Sequence, residues 1–77
     1  TKQYAEALPY CEKALALAPA ETLMMANLGE VLCHLGRVRE GRKHLEEALA
    51  RTRNASSREE ITKLLKEFPD PGKTGSR

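Results

Sequence analysis

The sequence has few of the residues that base-stacking surfaces, disulfide frameworks and membrane spans require. Of its 77 residues none is tryptophan, two are tyrosine and one is phenylalanine, which leaves too few rings for a platform on which bases stack. Its two cysteines, Cys11 and Cys33, are too few for a disulfide framework. No apolar run approaches the roughly 20 residues of a transmembrane helix. We therefore expect a partner other than a membrane or a nucleic acid.

Charge of either sign is not in large excess either. The chain has 13 basic and 11 acidic residues and a net charge of +2, a balance that does not point to nucleic acid or to an anionic membrane. The N-terminus contains no hydrophobic signal core. Both cysteines fall on apolar helical stripes, where a thiol behaves as a small buried hydrophobe. These features lead us to expect a cytoplasmic protein with reduced, buried cysteines.

What the sequence does contain is an internal repeat with a spacing of 34 residues. Both copies have the order small, apolar, Ala, Leu, and they consist of Ala7, Cys11, Ala14 and Leu15, and of Gly41, Leu45, Ala48 and Leu49. A period of this size is the signature of stacked helix-turn-helix units. Such a unit cannot bury its apolar face alone, so we expect an array whose outer surface binds partners and has no catalytic centre.

Apolar residues at helical spacing predict four helices. The first covers about residues 3–18 and contains Pro9, which predicts a kink or a loose first turn because proline removes a backbone hydrogen bond. The second covers about residues 21–34 or 35, the third about 38–51 and the fourth about 57–67.

Residues that stop or start helices support these bounds. Gly36 tolerates positive φ and ends the second helix, and the short connection after it makes the second and third helices antiparallel. Two overlapping capping boxes, which begin at Ser56 and Ser57, predict the start of the fourth helix. Residues 69–77 contain proline and glycine and no apolar side chain, which predicts a disordered tail.

The second and third helices resemble the tetratricopeptide repeat, whose signature is W-x2-L-G-x2-Y…A-x3-F…P. The matching residues are Met25, Leu28, Gly29 and Leu32 in the first half, and Gly41, Leu45 and Ala48 in the second. The resemblance covers residues 4–53 and implies an all-α fold of antiparallel helix-turn-helix repeats. Smaller apolar side chains replace the aromatics of the signature, so we expect a core with less side-chain volume than is usual for the family. We expect Gly29 and Gly41 to lie where the paired helices approach closely.

The same resemblance divides the chain into parts. It implies a helical repeat domain over residues 1–68, which consists of the second helix of a partial repeat (1–19), one complete repeat (20–53) and a capping helix (56–68). The chain starts inside a repeat and without Met. We therefore expect it to be the C-terminal end of a longer array.

In tetratricopeptide arrays the first helix of each pair lines a concave groove that holds an extended peptide or a partner helix. By this resemblance the partner-binding residues are Leu23, Ala26, Asn27, Glu30 and His34. The implied function is protein–protein interaction or scaffolding, with no catalysis and no cofactor. No C-x2-C or H-x3-H spacing is present, so we expect no metal site.

Two further surfaces follow from the pattern. The first is a basic cluster that consists of Arg37, Arg39, Arg42, Lys43 and His44. This outer face at 37–44 supports an alternative in which the chain is an accessory segment of an enzyme or of a nucleic-acid-binding protein. The second is the stripe of the first helix, formed by Tyr4, Leu8, Cys11 and Leu15, which lacks a preceding helix. We expect weak self-association through it, as a two-fold dimer.

Overall fold

The computed structural model describes residues 2–74, and every regular element within that range is a helix. Four helices form the body of the molecule: α1 (Lys2–Leu17), α2 (Thr22–His34), α3 (Val38–Arg51) and α4 (Ala55–Glu67). One further turn, α5 (Pro71–Thr74), follows them. The predicted all-α class is confirmed, and the bounds of α3 agree with the prediction at both ends.

Helix α2 is the centre of the fold, because α1, α3 and α4 all pack against it. Its buried residues therefore lie on more than one face, and they are Met25, Leu28, Gly29, Val31, Leu32 and Cys33. The helices α3 and α4 complete the core with Leu45, Ala48 and Ile61, each no more than 2% exposed. The core is built from aliphatic residues, methionine and cysteine, as the sequence predicted.

Helices α2 and α3 approach most closely at two glycines. A Cβ atom on Gly41 would lie 2.6 Å from both the carbonyl oxygen of Gly29 and Sγ of Cys33. A Cβ atom on Gly29 would lie 2.8 Å from the carbonyl oxygen of Gly41. Real Cβ atoms do not come this near to a backbone oxygen, so the prediction that both positions are small because the helices meet there is confirmed.

The turn between α2 and α3 is closed by a Schellman motif. Gly36 has φ +90°, a conformation that residues with a Cβ rarely adopt. Its N–H donates to the carbonyl oxygen of Cys33 at 3.1 Å, and the N–H of Arg37 donates to that of Leu32 at 2.9 Å. The carbonyls at the end of α2 are thereby satisfied, and α3 folds back against α2.

An arginine of α3 and an arginine of α4 each donate hydrogen bonds to backbone carbonyls at the end of the other helix, and we term these the reciprocal arginine contacts. Nη1 of Arg42 on α3 donates to the carbonyl oxygens of Leu65 and Phe68, both at 2.7 Å. Nη1 of Arg58 on α4 donates to the carbonyl oxygens of Leu49 and Thr52, at 2.7 and 3.1 Å. Carbonyls at helix C-termini have no partner within the helix and attract cations. Each arginine therefore caps the end of the other helix.

The start of α4 differs from the prediction. The helix begins at Ala55 and its N-cap is Asn54, whose side-chain Oδ1 accepts a hydrogen bond from the N–H of Ser57 at 3.0 Å. The capping boxes predicted at Ser56 and Ser57 are wrong, because both serines already lie in the first helical turn. Asparagine is as strong an N-cap as serine, and here it comes first along the chain.

Helix α1 forms the more exposed edge of the fold. It runs through Pro9 as one helix, and none of its residues between 3 and 17 is fully buried. Tyr10 is 77% exposed and Leu17 is 82% exposed. Cys33 is buried, as predicted, whereas Cys11 is only half-buried because α1 packs chiefly against a single neighbour.

The segment predicted as a disordered tail, 69–77, begins differently. Residues Pro71–Thr74 form the single turn α5, and Oδ1 of Asp70 accepts a hydrogen bond from the N–H of Gly72 at 2.9 Å. An aspartate two residues before an amide donor makes an Asx turn, which local composition alone did not reveal. The last three residues of the predicted tail lie outside the described range.

Candidate partner-binding groove

A groove lies between α2 and α4, with α3 behind it. The two helices run in the same direction, since Thr22 and Ser57 lie together at one end and His34 and Phe68 at the other. We divide it into an upper cleft and a lower cleft. The upper cleft is lined by Thr22, Leu23, Ala26, Asn27, Glu30, Thr52, Ser57, Glu60, Ile61 and Leu64. The lower cleft is lined by Glu30, Glu60, Lys63, Leu64 and Glu67.

The upper cleft combines an apolar floor with a polar rim. Leu23, Ala26, Ile61 and Leu64 form the floor, and Leu23 remains 59% exposed although it faces a concave surface. The cavity volume is about 40 Å³, whereas sites for small molecules measure about 300–1,000 Å³. The cleft can therefore take part of one side chain of a larger partner, and it is too small for a free metabolite.

Four of the five residues predicted to bind a partner line this groove. Leu23, Ala26 and Asn27 line the upper cleft, and Glu30 lies where the two clefts meet. They come together because positions 23, 26, 27 and 30 share one face of a helix.

The fifth predicted residue, His34, lies apart from the groove lining. Its ring stacks on Tyr4 of α1, with centroids 4.1 Å apart and planes at 9°, and meets the edge of Phe68 at 5.0 Å. Its Nε2 is 3.8 Å from Oε2 of Glu30. His34 therefore links α1, α2 and the end of α4, a position set by two aromatic residues far away in the sequence.

The opposite wall of the groove was not identified from the sequence. It consists of Thr52, Ser57, Glu60 and, in the lower cleft, Lys63 and Glu67, and α4 also supplies Ile61 and Leu64 to the floor. A signal was present in the spacing of the apolar residues of α4. Ile61, Leu64, Leu65 and Phe68 have the same spacing as the residues of α2 that match the first half of the repeat signature. That pattern places α4 beside α2, so a second wall could have been expected.

The basic cluster at 37–44 is largely engaged within the protein. Nε of Arg37 donates to Oε1 of Glu40 at 2.7 Å, and this hydrogen bond raises the pKa of Arg37 and lowers the pKa of Glu40. Arg42 caps α4, and its side chain is only 19% exposed. Arg39 lies next to Gly72, with Nη2 2.8 Å from where a Cβ of that glycine would be. Three of the five basic residues therefore have a neighbour within the protein, and Arg42 is the one that is engaged inside the fold.

The two thiols are poorly suited to nucleophilic chemistry. Burial raises the pKa of Cys33, and the nearby Arg42 only partly opposes this effect. Burial, together with the charge of Glu12, also raises the pKa of Cys11. A reactive cysteine requires a lowered pKa, so at neutral pH both thiols are protonated and act as apolar side chains.

Neither a metal cluster nor a membrane span occurs in the part of the chain that the structure describes. Between residues 2 and 74 no three His, Cys, Asp or Glu side chains come together in the manner of a metal site. Within the same range no helix has the length and apolar character to cross a bilayer.

A family model described as a tetratricopeptide repeat matches residues 1–66 of the chain. No curated protein and no solved structure gives a significant match.

Proposed function

Because the chain belongs to the tetratricopeptide repeat family, we propose that it is an interaction module that holds a peptide or a partner helix in the groove between α2 and α4. Members of this family generally mediate protein–protein interactions and are typically non-catalytic. The observation that carries the proposal is the open apolar floor of the upper cleft, where Leu23 is 59% exposed on a concave surface. We infer no catalytic role for the module itself.

The proposed partner-binding residues are Leu23, Ala26, Asn27 and Glu30, and we add Ser57 and Glu60 from the opposite wall. The leucine and alanine supply apolar contact, whereas the amide, hydroxyl and carboxylate groups can bond to a partner's backbone or side chains. His34 acts indirectly, since its ring is held by Tyr4 and Phe68. Its role is to fix the ends of three helices around the groove.

Selection from a random peptide library displayed on phage tests this proposal. Peptides are selected on the wild-type chain and then tested against Leu23→Ser, which removes the most exposed part of the groove floor. Leu17→Ser is the matched control, because Leu17 is equally apolar and 82% exposed but lies on α1. We expect the selected peptides to lose binding to the first variant and to keep it with the second.

The basic outer face at 37–44 is the competing site, and the same selection distinguishes it. Peptides or nucleic acids that bind there would lose affinity for Arg39→Glu and Lys43→Glu and be indifferent to Leu23→Ser. Steep salt dependence with DNA or RNA as the probe would favour the accessory role. The engagement of Arg37 and Arg42 within the protein makes this face the weaker candidate.

We also propose that α1 mediates weak self-association with a second copy of the chain. The supporting observation is that two large apolar side chains of α1, Tyr10 and Leu17, are seven residues apart on one face and both largely exposed. The stripe expected from the sequence, formed by Tyr4, Leu8, Cys11 and Leu15, is half-buried and so leaves part of its apolar surface open as well. For the compartment we propose the cytoplasm, on the ground that both cysteines are unpaired.

A further inference from the structure

The lower cleft differs from the upper cleft in charge. Three carboxylates line it, those of Glu30, Glu60 and Glu67, together with one ammonium group, that of Lys63. Two of these glutamates, Glu30 and Glu60, also line the upper cleft, so the two clefts form one continuous groove. The groove is therefore locally acidic in a chain whose net charge is +2.

The carboxylates of the groove outnumber its cations and form few ion pairs within the described residues. In α3, Glu46 and Glu47 each pair with an arginine of the same helix. In contrast, within residues 2–74 neither Glu60 nor Glu67 has an ion-pair partner, although Lys63 lies between them on α4. Among the described residues Glu30 has a single ion-pair neighbour, His34, at 3.8 Å. With three carboxylates against one ammonium group, the lower cleft has an excess of negative charge that a cationic partner can balance.

The dimensions of the groove define what can fill it. From Ser57 to Glu67 the wall formed by α4 extends roughly 15 Å, at a rise of 1.5 Å per residue. An extended peptide advances about 3.3 Å per residue, so four to five residues cover this length. Glu30 and Glu60 line both clefts, whereas Glu67 lines only the lower cleft. A matching segment therefore places its apolar side chain in the upper cleft and its cations beside it and further along the groove.

We propose that the groove is specific for a basic peptide segment, in which one apolar side chain enters the upper cleft and lysine or arginine residues a few positions away meet Glu30, Glu60 and Glu67. This inference rests on the proposed function, because it names the class of partner for the same groove. Electrostatic complementarity of this kind selects partners and accelerates association. Acidic and neutral peptides are the alternatives that the experiment must distinguish.

The first test is the composition of the peptides that the library selection yields. Among peptides that require Leu23, we expect lysine and arginine to be enriched over the unselected library, and aspartate and glutamate to be depleted. Groove-dependent peptides of neutral or acidic composition would overturn this inference and leave the proposed function intact. If no selected peptide depends on Leu23, the proposed function fails and the specificity fails with it.

The second test reverses charge in the groove. The double variant Glu60→Lys, Glu67→Lys is compared with Glu6→Lys, Glu12→Lys, which makes the same change in net charge on α1. All four glutamates are exposed, and thermal unfolding followed by circular dichroism verifies that both variants fold. With a selected basic peptide as the probe, we expect Kd at low salt to rise about tenfold or more in the groove variant and to stay within about twofold in the control.

Salt provides the last discriminating measurement. Raising the ionic strength should weaken the wild-type complex and reduce the difference between wild type and groove variant, because exposed charges are screened. Equal losses in both double variants would show that net charge alone drives binding, which contradicts a groove specific for basic segments. Unchanged affinity in the groove variant would contradict it as well.

Discussion

The two outer helices of the molecule, α1 and α4, cover the central hairpin in different ways. Helix α4 places Ile61 in the core at 2% exposure and is joined to α3 by the reciprocal arginine contacts. Helix α1 has no fully buried residue between 3 and 17, and among the described residues none of its side chains makes a hydrogen bond or an ion pair to another helix. The α4 end of the fold is therefore closed by specific polar contacts, whereas the α1 end is held by apolar packing and one aromatic stack.

The largest expected effect compares alanine substitutions at the two ends. Ile61→Ala should lower the free energy of unfolding by about 2–5 kcal/mol, because it leaves a cavity in the core. Leu15→Ala should lower it by about 1–2 kcal/mol, because the side chain is only half-buried and less apolar area is lost. Chemical denaturation followed by circular dichroism measures both values. Equal losses would mean that α1 and α4 are packed alike.

Thiol labelling compares α1 with the central helix α2 without destabilising either. Cys33 is 2% exposed and Cys11 is half-buried, so we expect a thiol-specific reagent to modify Cys11 about 100-fold faster, which corresponds to about 2.8 kcal/mol at 1.4 kcal/mol per factor of ten. Mass spectrometry of timed samples gives the two rates. Equal rates would show that α2 opens as readily as α1.

The raised pKa of Cys33 also predicts how stability changes with pH. The folded state favours the neutral thiol, so this contribution is fully present below the ordinary pKa of a thiol. It is lost as the pH rises from that value through the raised pKa of the folded state. Alkaline denaturation should therefore be weaker in Cys33→Ala than in the wild type, measured relative to each protein's stability at neutral pH.

The next effect concerns the arginine contacts at the α4 end. Arg42→Met keeps much of the apolar stem and leaves the carbonyls of Leu65 and Phe68 without their donor, so we expect a loss of about 1.5–3 kcal/mol. The buried Nε of Arg42 has no partner among the described residues, which favours the lower part of this range. Arg51→Met is the control, since its exposed pair with Glu47 should contribute about 0.5 kcal/mol or less. Similar losses in both variants would show that Arg42 is no more than a surface charge.

The smallest expected effect is on self-association through α1. Leu17→Asp should raise the dimer dissociation constant by no more than about tenfold, or 1.4 kcal/mol, because only a narrow apolar stripe is available. Sedimentation over a wide range of concentrations measures it, with Leu23→Asp as an exposed leucine on another helix. A chain that remains monomeric throughout, or a larger effect of the control, would contradict an interface on α1.

The bounds of most helices follow from local signals in the sequence, which is why the four helices could be predicted. Apolar residues three and four positions apart define α2 and α3, and Gly36 marks the turn between them. Gly29 and Gly41 indicated the close approach of two helices without showing which atoms meet. The start of α4 was misplaced because several residues there, Asn54 and Ser56 among them, can each cap a helix.

The candidate site was predicted on one side only. Helical periodicity places Leu23, Ala26, Asn27 and Glu30 on one face, but the position of His34 depends on Tyr4, 30 residues earlier, and on Phe68, 34 residues later. Likewise, the sequence around Arg42 predicts a side chain exposed to solvent, whereas the carbonyls that it donates to lie 23 and 26 residues away. Contacts between residues so far apart leave no periodic pattern in a single sequence.

The reciprocal arginine contacts have a consequence for conformational entropy during recognition. They attach α4 to α3 at both ends of the helix, and α3 is packed tightly on α2 at Gly29 and Gly41. The distance between the two walls of the groove is therefore set before any partner arrives. A partner that enters the groove does not have to order α4, so less of its interaction free energy is offset by lost freedom of the protein.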